Sequence, residues 1–234
     1  MDISKHELLF SKIRMGRYLN SCNGDVNKSI DLYKYNIQVS QALYPIISVL
    51  EVALRNSIDR ELAKYFNDVD WLLTQRNKFA NHPNLTYRDK YGKVYPDYFF
   101  LTKLKGAEDK LQFKKIRITH GKLLSELTFG FWVKFFDISP IKILGGAPLN
   151  SFKNKPKIKL ASVNSHLNSI VILRNRISHS EPICFDKNGD LCLYTLQKHE
   201  NDIFESLNWL DNDLAIWAQK MNFFKPVYNR IIGI

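Results

Sequence analysis

Residues 43–65 read LYPIISVLEVALRNSIDRELAKY and carry the pattern that decides the fold. Apolar side chains recur here every three or four residues, at Leu43, Ile47, Leu50, Leu54, Ile58, Leu62 and Tyr65. That spacing places them on one face of an α-helix, so the sequence predicts a long amphipathic helix over about 40–66. Pro45 has no amide proton and is expected to start or kink this helix.

The same helical period recurs along the rest of the chain and predicts an all-α fold. We expect further helices at about 4–20, 25–37, 122–136, 161–180, 196–209 and 212–220, with Asp25 and Asp211 as N-caps. Between them we expect a loop with short helices at 67–100, a flexible basic loop at 137–160 and a small hairpin at 184–195 around Asn188-Gly189.

Composition excludes several classes of protein. Hydrophobic residues make up 45% of the 234 residues and aromatic residues 13%, which excludes a disordered chain. No apolar run in the sequence approaches the ~20 residues of a membrane span, and the N-terminus lacks the apolar core of a secretory signal. The odd number of cysteines, without a CxxC pair, predicts a reducing cytoplasm and no zinc site.

Positive charge is concentrated in one quarter of the chain. The net charge is +11, and the segment 103–159 alone holds 13 basic and four acidic residues. Such clustering is typical of a protein that binds a polyanion, although a solvated lysine-rich surface gives the same pattern. Within this segment the run KNKPKIK supplies the candidate RNA-binding residues Lys153, Lys155, Lys157 and Lys159.

The helix expected at 161–180 has a cation in the middle of its apolar stripe. Val163, Leu167, Ile170, Val171 and Ile177 form the stripe, and Arg174 falls among them. A guanidinium cannot lose its proton, so it needs a partner there. The partner is either a carboxylate on a neighbouring helix, such as Glu51, or an anion in a cleft or subunit interface.

Arg174 opens the motif RNRISH, which ends at His179. Cleavage of RNA by its own 2′-hydroxyl requires an acid, a base and a fixed positive charge, which histidine and arginine supply without a metal. His179 could instead be a helix-end cap. A second copy, RNKFANH from Arg76 to His82, lies in a turn-rich stretch and is interpreted as a chance match. The aromatic run 129–136 could stack on bases, but its period favours core packing.

Four separated stretches resemble, in order and spacing, the bacterial Abi-like abortive-infection proteins of the AbiD/AbiF type. The stretches are MGRYLNSCNGDVNKSIDLYKYN (15–36), LEVALRN (50–56), LTFGFWVKFF (127–136) and LRNRISHSEPI (173–183). These proteins belong to the wider group of HEPN-fold ribonucleases, whose active-site signature is R-N-x-x-x-H.

The resemblance implies an HEPN-like helical bundle, here one domain over 1–234 with a helical extension at 1–38 and a core at 39–234. It also implies a homodimer that cleaves RNA without a metal or cofactor, in phage defence or beside an RNA or protein antitoxin. Arg174 would stabilise the scissile phosphate, His179 would be the general acid or base, and Asn175 would position one of them or the RNA.

The resemblance also implies a supporting set, Glu51, Arg55, Asn56 and Glu181. Glu51 and Arg55 are one helical turn apart, so a simple ion pair would also explain them. Members commonly read H-H-E-P after the helix, whereas this chain has Ser180 in place of the second histidine.

A different class of function uses the same charge. The chain could be a non-catalytic RNA-binding module regulated by a small structured RNA. The basic segment fits both functions, but a binding module has no need of a titrating histidine, so the intact Arg174, Asn175 and His179 favour the endoribonuclease.

Overall fold

The computed structural model describes residues 2–186 and 188–233, and within them the predicted all-α fold is confirmed. The helices are α1 (Ile3–Phe10), α2 (Lys12–Ser21), α3 (Val26–Phe66), α4 (Trp71–Thr74), α5 (Phe99–Phe113), α6 (His120–Glu126), α7 (Phe129–Val133), α8 (Ile138–Ile143), α9 (Leu160–Ser178), α10 (Leu193–Leu210), α11 (Asn212–Gln219) and α12 (Phe224–Ile232). Short 3-10 helices cover Phe79–Asn81, Lys134–Phe136 and Ala147–Ser151.

A β-hairpin lies where the sequence predicts only loop and short helices. Strands β1 (Thr86–Arg88) and β2 (Val94–Pro96) pair antiparallel, with Tyr87 opposite Tyr95. Asp89 makes the turn, because its Oδ1 accepts from the amides of Tyr91 at 2.9 Å and Lys93 at 3.0 Å. The expectation of loop was wrong at this point because the strands are too short for an alternating pattern to stand out.

Backbone contacts divide the chain into two compact units. The first comprises the described residues of Met1–Leu50, Ile172–Leu207 and Asp213–Ile234, and the second Glu51–Val171 and Asn208–Asn212. Helices α3, α9, α10 and α11 contribute residues to both units. The expected boundary between residues 38 and 39 falls inside α3, so no break between elements marks it.

Helix α3 is continuous, whereas the sequence predicts separate helices at 25–37 and 40–66. Asp25 caps its start as expected, with Oδ1 accepting from the amide of Lys28 at 3.0 Å. Pro45 lies inside α3 without ending it. Proline cannot donate to the Gln41 carbonyl, but Gln41 is exposed, so water can reach that acceptor. No glycine or proline separates the two expected helices, and they merge.

Helix α3 is long and apolar enough to resemble a membrane span, although the sequence predicts no such span. An 18-residue window within it has a mean hydropathy of 1.5, so by length and composition alone α3 could cross a membrane. The core helix of a globular unit passes the same test. The apolar residues of α3 are core residues here, since Leu43, Ile47, Leu50, Leu54 and Ile58 are all fully buried.

An aromatic cluster forms the core of the second unit. Phe131, Trp132 and Phe135 are at most 1% exposed, so their expected core role is confirmed. Phe135 packs against Phe100 with ring centroids 4.6 Å apart and against Phe79 at 5.7 Å. The helix expected at 122–136 is in fact α6, α7 and a 3-10 turn, because the chain leaves helical geometry at Leu127 and Thr128 to insert these rings.

The core of the first unit joins α2 and α3 to the segment after α9. The Tyr18 ring contacts Tyr33 at 5.2 Å and Phe185 at 5.0 Å, both edge-on. Phe185 pairs with Leu191 in an isolated antiparallel bridge, which confirms the small hairpin expected at 184–195. Lys187, in its turn, lies outside the described residues.

We expect Phe135→Ala to lower the free energy of unfolding by about 3–5 kcal/mol, because it leaves a cavity among close-packed rings. Urea denaturation followed by tryptophan fluorescence measures this, since Trp71 and Trp132 pack in the same cluster. Phe113→Ala is the control. Phe113 is 90% exposed, and its removal should change stability by less than about 0.5 kcal/mol. Equal effects of the two changes would contradict the proposed core.

Candidate functional site

The RNRISH motif occupies the last turn of α9 and the residue after it. Arg174 is half-buried, Asn175 is exposed, and His179 is exposed immediately beyond the last helical residue, Ser178. All three lie in the first unit. The imidazole of His179 and the amide of Asn175 are therefore open to solvent, whereas the guanidinium of Arg174 lies at the border of the core.

The end of α9 is a Schellman motif that fixes the position of His179. The Ser180 amide donates to the Ile177 carbonyl at 3.0 Å, and the Glu181 amide to the Arg176 carbonyl at 2.8 Å. Ser180 has a φ of 54°, in the left-handed region. The His179 amide still makes the ordinary helical bond to the Asn175 carbonyl, at 3.0 Å. The chain therefore turns only after His179, whose backbone keeps its helical position.

Arg176 holds the segment that follows the helix. Its Nη2 donates to the Pro182 carbonyl, and its Nε lies 3.7 Å from Oε2 of Glu181. Glu181, expected to support the catalytic residues, thus contacts the second arginine of the motif. The sequence analysis assigned no role to Arg176. Its position at the helix end, a few residues before Glu181 and Pro182, indicates that it can contact them.

Two further residues that the sequence analysis missed fix the same segment. The buried Oδ1 of Asn36, on α3, accepts from the amides of Ile183 at 2.8 Å and Cys184 at 3.2 Å. Arg14, on α2, donates from Nη1 to the Ser180 carbonyl at 2.7 Å. Asn36 ends the N-terminal stretch 15–36, so that stretch and the RNRISH stretch meet through hydrogen bonds from backbone amides to its side chain.

The other supporting residues expected from the sequence lie in the second unit. Glu51, Arg55 and Asn56 are all half-buried on α3. The Nε of Arg55 donates to Oδ1 of Asn56 at 3.2 Å. Arg55 and Asn56 thus form a local pair on consecutive residues of the helix.

The second copy of the motif is divided between two structural roles. Arg76 forms an ion pair with Glu108 at 2.5 Å, and His82 Nδ1 accepts from the Asn84 amide at 3.1 Å. His82 also lines a cavity of about 900 Å³ in the second unit, together with Arg88 and Lys142. Arg76 and His82 therefore make separate local contacts in the second unit.

Part of the segment around the lysine run is regular structure, and the first lysine has an ion-pair partner. Helix α8 and the 3-10 helix Ala147–Ser151 occupy much of the expected loop 137–160. Lys153 pairs with Asp211, and the next residue, Asn154, donates to the Asn208 carbonyl at 2.7 Å. All four candidate residues, Lys153, Lys155, Lys157 and Lys159, are exposed.

Burial holds two other titratable groups of the first unit neutral near pH 7. It raises the pKa of the Cys184 thiol to about 12 and lowers the pKa of His199 to about 4. Neither a thiolate nor an imidazolium is therefore available at these positions near neutral pH. His6 is also buried, so His179 is the histidine of the described first unit that solvent and substrate can reach.

Ser180→Gly is expected to stabilise the protein by about 0.5–1 kcal/mol. It removes the strain of a left-handed side chain, and the added freedom of the unfolded chain offsets only part of that gain. Ser178→Gly is the control inside the same turn. It should destabilise, because glycine is a poor helix former and Ser178 Oγ donates to the Arg174 carbonyl at 3.0 Å. A destabilising Ser180→Gly in thermal unfolding would contradict the assigned cap.

Comparison with known proteins gives one match. A model of the Abi-like protein family matches residues 3–184, a range that includes α1 to α9, the whole RNRISH motif and the Asn36 contact to Ile183 and Cys184. Neither the curated proteins nor the solved structures gave a match. Since the family model covers most of the chain, the protein belongs to the Abi-like family.

Proposed function

We propose that this protein is a metal-independent endoribonuclease whose active site is built from Arg174, Asn175 and His179. The family suggests a role in abortive infection. The observation that carries the proposal is the end of α9, where capping bonds fix an exposed imidazole five residues after a half-buried guanidinium.

The chemistry needs a base, an acid and a fixed positive charge, and this helix end supplies one titrating group and the charge. A base takes the proton of the ribose 2′-hydroxyl, whose oxygen bonds to the phosphorus as the bond to the 5′-oxygen breaks. An acid protonates that leaving oxygen, and His179 performs one of these transfers. The guanidinium of Arg174 stabilises the charge that builds on the phosphorane. The products end in a 2′,3′-cyclic phosphate and a 5′-hydroxyl.

The direction of the two side chains favours a two-fold dimer. Five residues on a helix turn through about 140°, and His179 keeps its helical backbone bond, so local unwinding does not bring it round to Arg174. A second copy can complete the site instead. The face that carries Asn175 and His179 also carries Ile172, which is 61% exposed, and such an apolar side chain gives a partner helix a surface to cover.

RNA reaches this site through electrostatic attraction in our proposal. Lys155, Lys157 and Lys159 are exposed, and contacts to phosphates release counterions, so affinity falls steeply with salt. The alternative, an RNA-binding module without catalysis, draws support from the cavity at His82, Arg88 and Lys142, which is basic and lies apart from the motif in the sequence. An RNA or protein antitoxin remains a proposed partner of either form.

His179→Ala should lower the rate of RNA cleavage by about 10²- to 10⁴-fold, the usual contribution of a general acid or base. Arg174→Ala should lower it by about 10²- to 10³-fold through lost stabilisation of the phosphorane. Both rates are measured on a labelled oligoribonucleotide with EDTA present, which should not slow the wild type.

His82→Ala is the matched control and should cleave at the wild-type rate. If His82→Ala is inactive while His179→Ala is active, the wrong motif has been chosen. If both variants cleave normally, neither histidine is catalytic and the proposed active site fails. A wild type that binds RNA but does not cleave it would support the RNA-binding module instead.

Light scattering at micromolar concentration should give twice the monomer mass of 27.4 kDa. Ile172→Glu should shift the protein to monomer and abolish cleavage, because it places a charge on the proposed interface without disturbing the core. Ile216→Glu changes another isoleucine of similar exposure, on α11, and should stay dimeric. A wild-type monomer that still cleaves RNA would exclude a shared site.

A further inference from the structure

A cavity of about 420 Å³ opens in the first unit beside the end of α9. One wall is a stripe of α3 formed by Tyr33, Asn36, Ile37, Gln41 and Tyr44, and the other includes Arg14, Ser180 and Glu181. Its size lies within the range of small-molecule sites. Ser180 directly follows His179, so the cavity adjoins the candidate catalytic residue along the chain.

Asn36 brings a side-chain donor to the wall of the cavity. The Asn36 side chain belongs to a residue only 4% exposed, and its Oδ1 is occupied by two backbone amides. Those two donors fix which end of the amide is oxygen, so the Nδ2 group is turned to the cavity. No hydrogen bond of Nδ2 occurs within residues 2–186 and 188–233. A ligand with an acceptor could pair with this donor in place of water.

The aromatic walls suit a flat ligand. Tyr33 is held in place by Phe10, at 5.0 Å between ring centroids, and by Tyr18. Tyr44 is 48% exposed and lies three turns further along the same face of α3. Nucleic-acid bases stack on such rings, and a groove three helical turns long accommodates more than one nucleotide.

The polar groups of the cavity match one base better than the others. Asn36 Nδ2 offers a donor, and Arg14 keeps further guanidinium donors beside the one that Nη1 gives to Ser180. Glu181 offers an exposed carboxylate acceptor. Guanine presents the acceptors O6 and N7, which arginine reads well, together with the donors N1–H and N2–H₂ that a carboxylate accepts. Adenine and cytosine would set an amino group against the donors, and uracil has a single donor for Glu181.

We propose that this cavity binds the guanine base on the 5′ side of the scissile phosphate and makes cleavage specific for guanosine. This inference rests on the proposed nuclease function, because it names the substrate base of that site. In this proposal Asn36, Arg14 and Glu181 select guanine, and Tyr44 stacks on any base.

Two measurements on the full-length protein test the proposal. The first is calorimetric titration with each of the four nucleoside 3′-monophosphates, in which guanosine monophosphate should bind at least tenfold more tightly than the others. The second is end-mapping of cleaved RNA, in which the new 3′ ends should be guanosine 2′,3′-cyclic phosphate.

Three variants separate the roles. Glu181→Gln exchanges an acceptor for an amide and should remove the tenfold preference in both measurements. Asn36→Asp keeps an oxygen that accepts from the two backbone amides but has no Nδ2 donor. The guanosine preference should therefore be lost in this variant too. Should Asn36→Asp fail to fold, Glu181→Gln decides alone, since Glu181 is exposed. Tyr44→Ala should weaken all four nucleotides together, whereas Tyr194→Ala, at a residue 76% exposed on α10, should change nothing.

The outcomes distinguish this inference from the nuclease proposal. Cleavage that depends on His179 but shows no guanosine preference overturns the guanine site alone. Guanine-selective titration by a wild type that cleaves no RNA overturns the nuclease proposal and leaves a site for free guanine nucleotides, which also overturns the assignment to an RNA base. Equal binding of all four monophosphates, or a wild-type preference in Glu181→Gln, overturns the guanine assignment directly.

Discussion

One buried amide organises the candidate site. Asn36 receives the amides of Ile183 and Cys184 inside the first unit, 147 and 148 residues further along the chain. Without this acceptor two backbone N–H groups would be buried unpaired, at a cost of about 1–3 kcal/mol each. The bonds hold the segment after α9 against α3, and that segment carries the turn that directs His179 outward. The position of the imidazole therefore depends on a residue that itself does no proton transfer.

The helices could be predicted well from the sequence, and the breaks between them could not. The apolar period of α3 and α9 is strong, and their bounds differ from the expected ones by a few residues except where α3 absorbs the helix before it. Packing decides the breaks. Leu127 and Thr128 interrupt an apparently regular helix because Phe131, Trp132 and Phe135 all have to enter one core. No local propensity encodes that requirement.

The candidate site also contains residues that could be identified from the sequence and residues that could not. Arg174, Asn175 and His179 could be found because their chemistry and spacing are local. Asn36 and Arg14 could not, because each acts through a contact more than 140 residues away, and asparagine or arginine on a helix is not unusual by itself. The four lysines were selected by a charge count, which cannot show that Lys153 pairs with Asp211, an acidic residue outside the segment 103–159.

The two arginines of the motif illustrate how activity data on such a site have to be interpreted. Arg176 bonds the Pro182 carbonyl and lies near Glu181, so it stabilises the cap that places His179. A charge-assisted hydrogen bond of this kind contributes about 1.5–3 kcal/mol, enough to disorder the turn when it is lost. Substitution of Arg176 would then reduce cleavage as an active-site substitution does, but through the geometry of the turn. Loss of activity alone cannot assign catalysis to either arginine, whereas loss of activity with an unchanged free energy of unfolding separates a group that acts on the phosphate from one that acts on the fold.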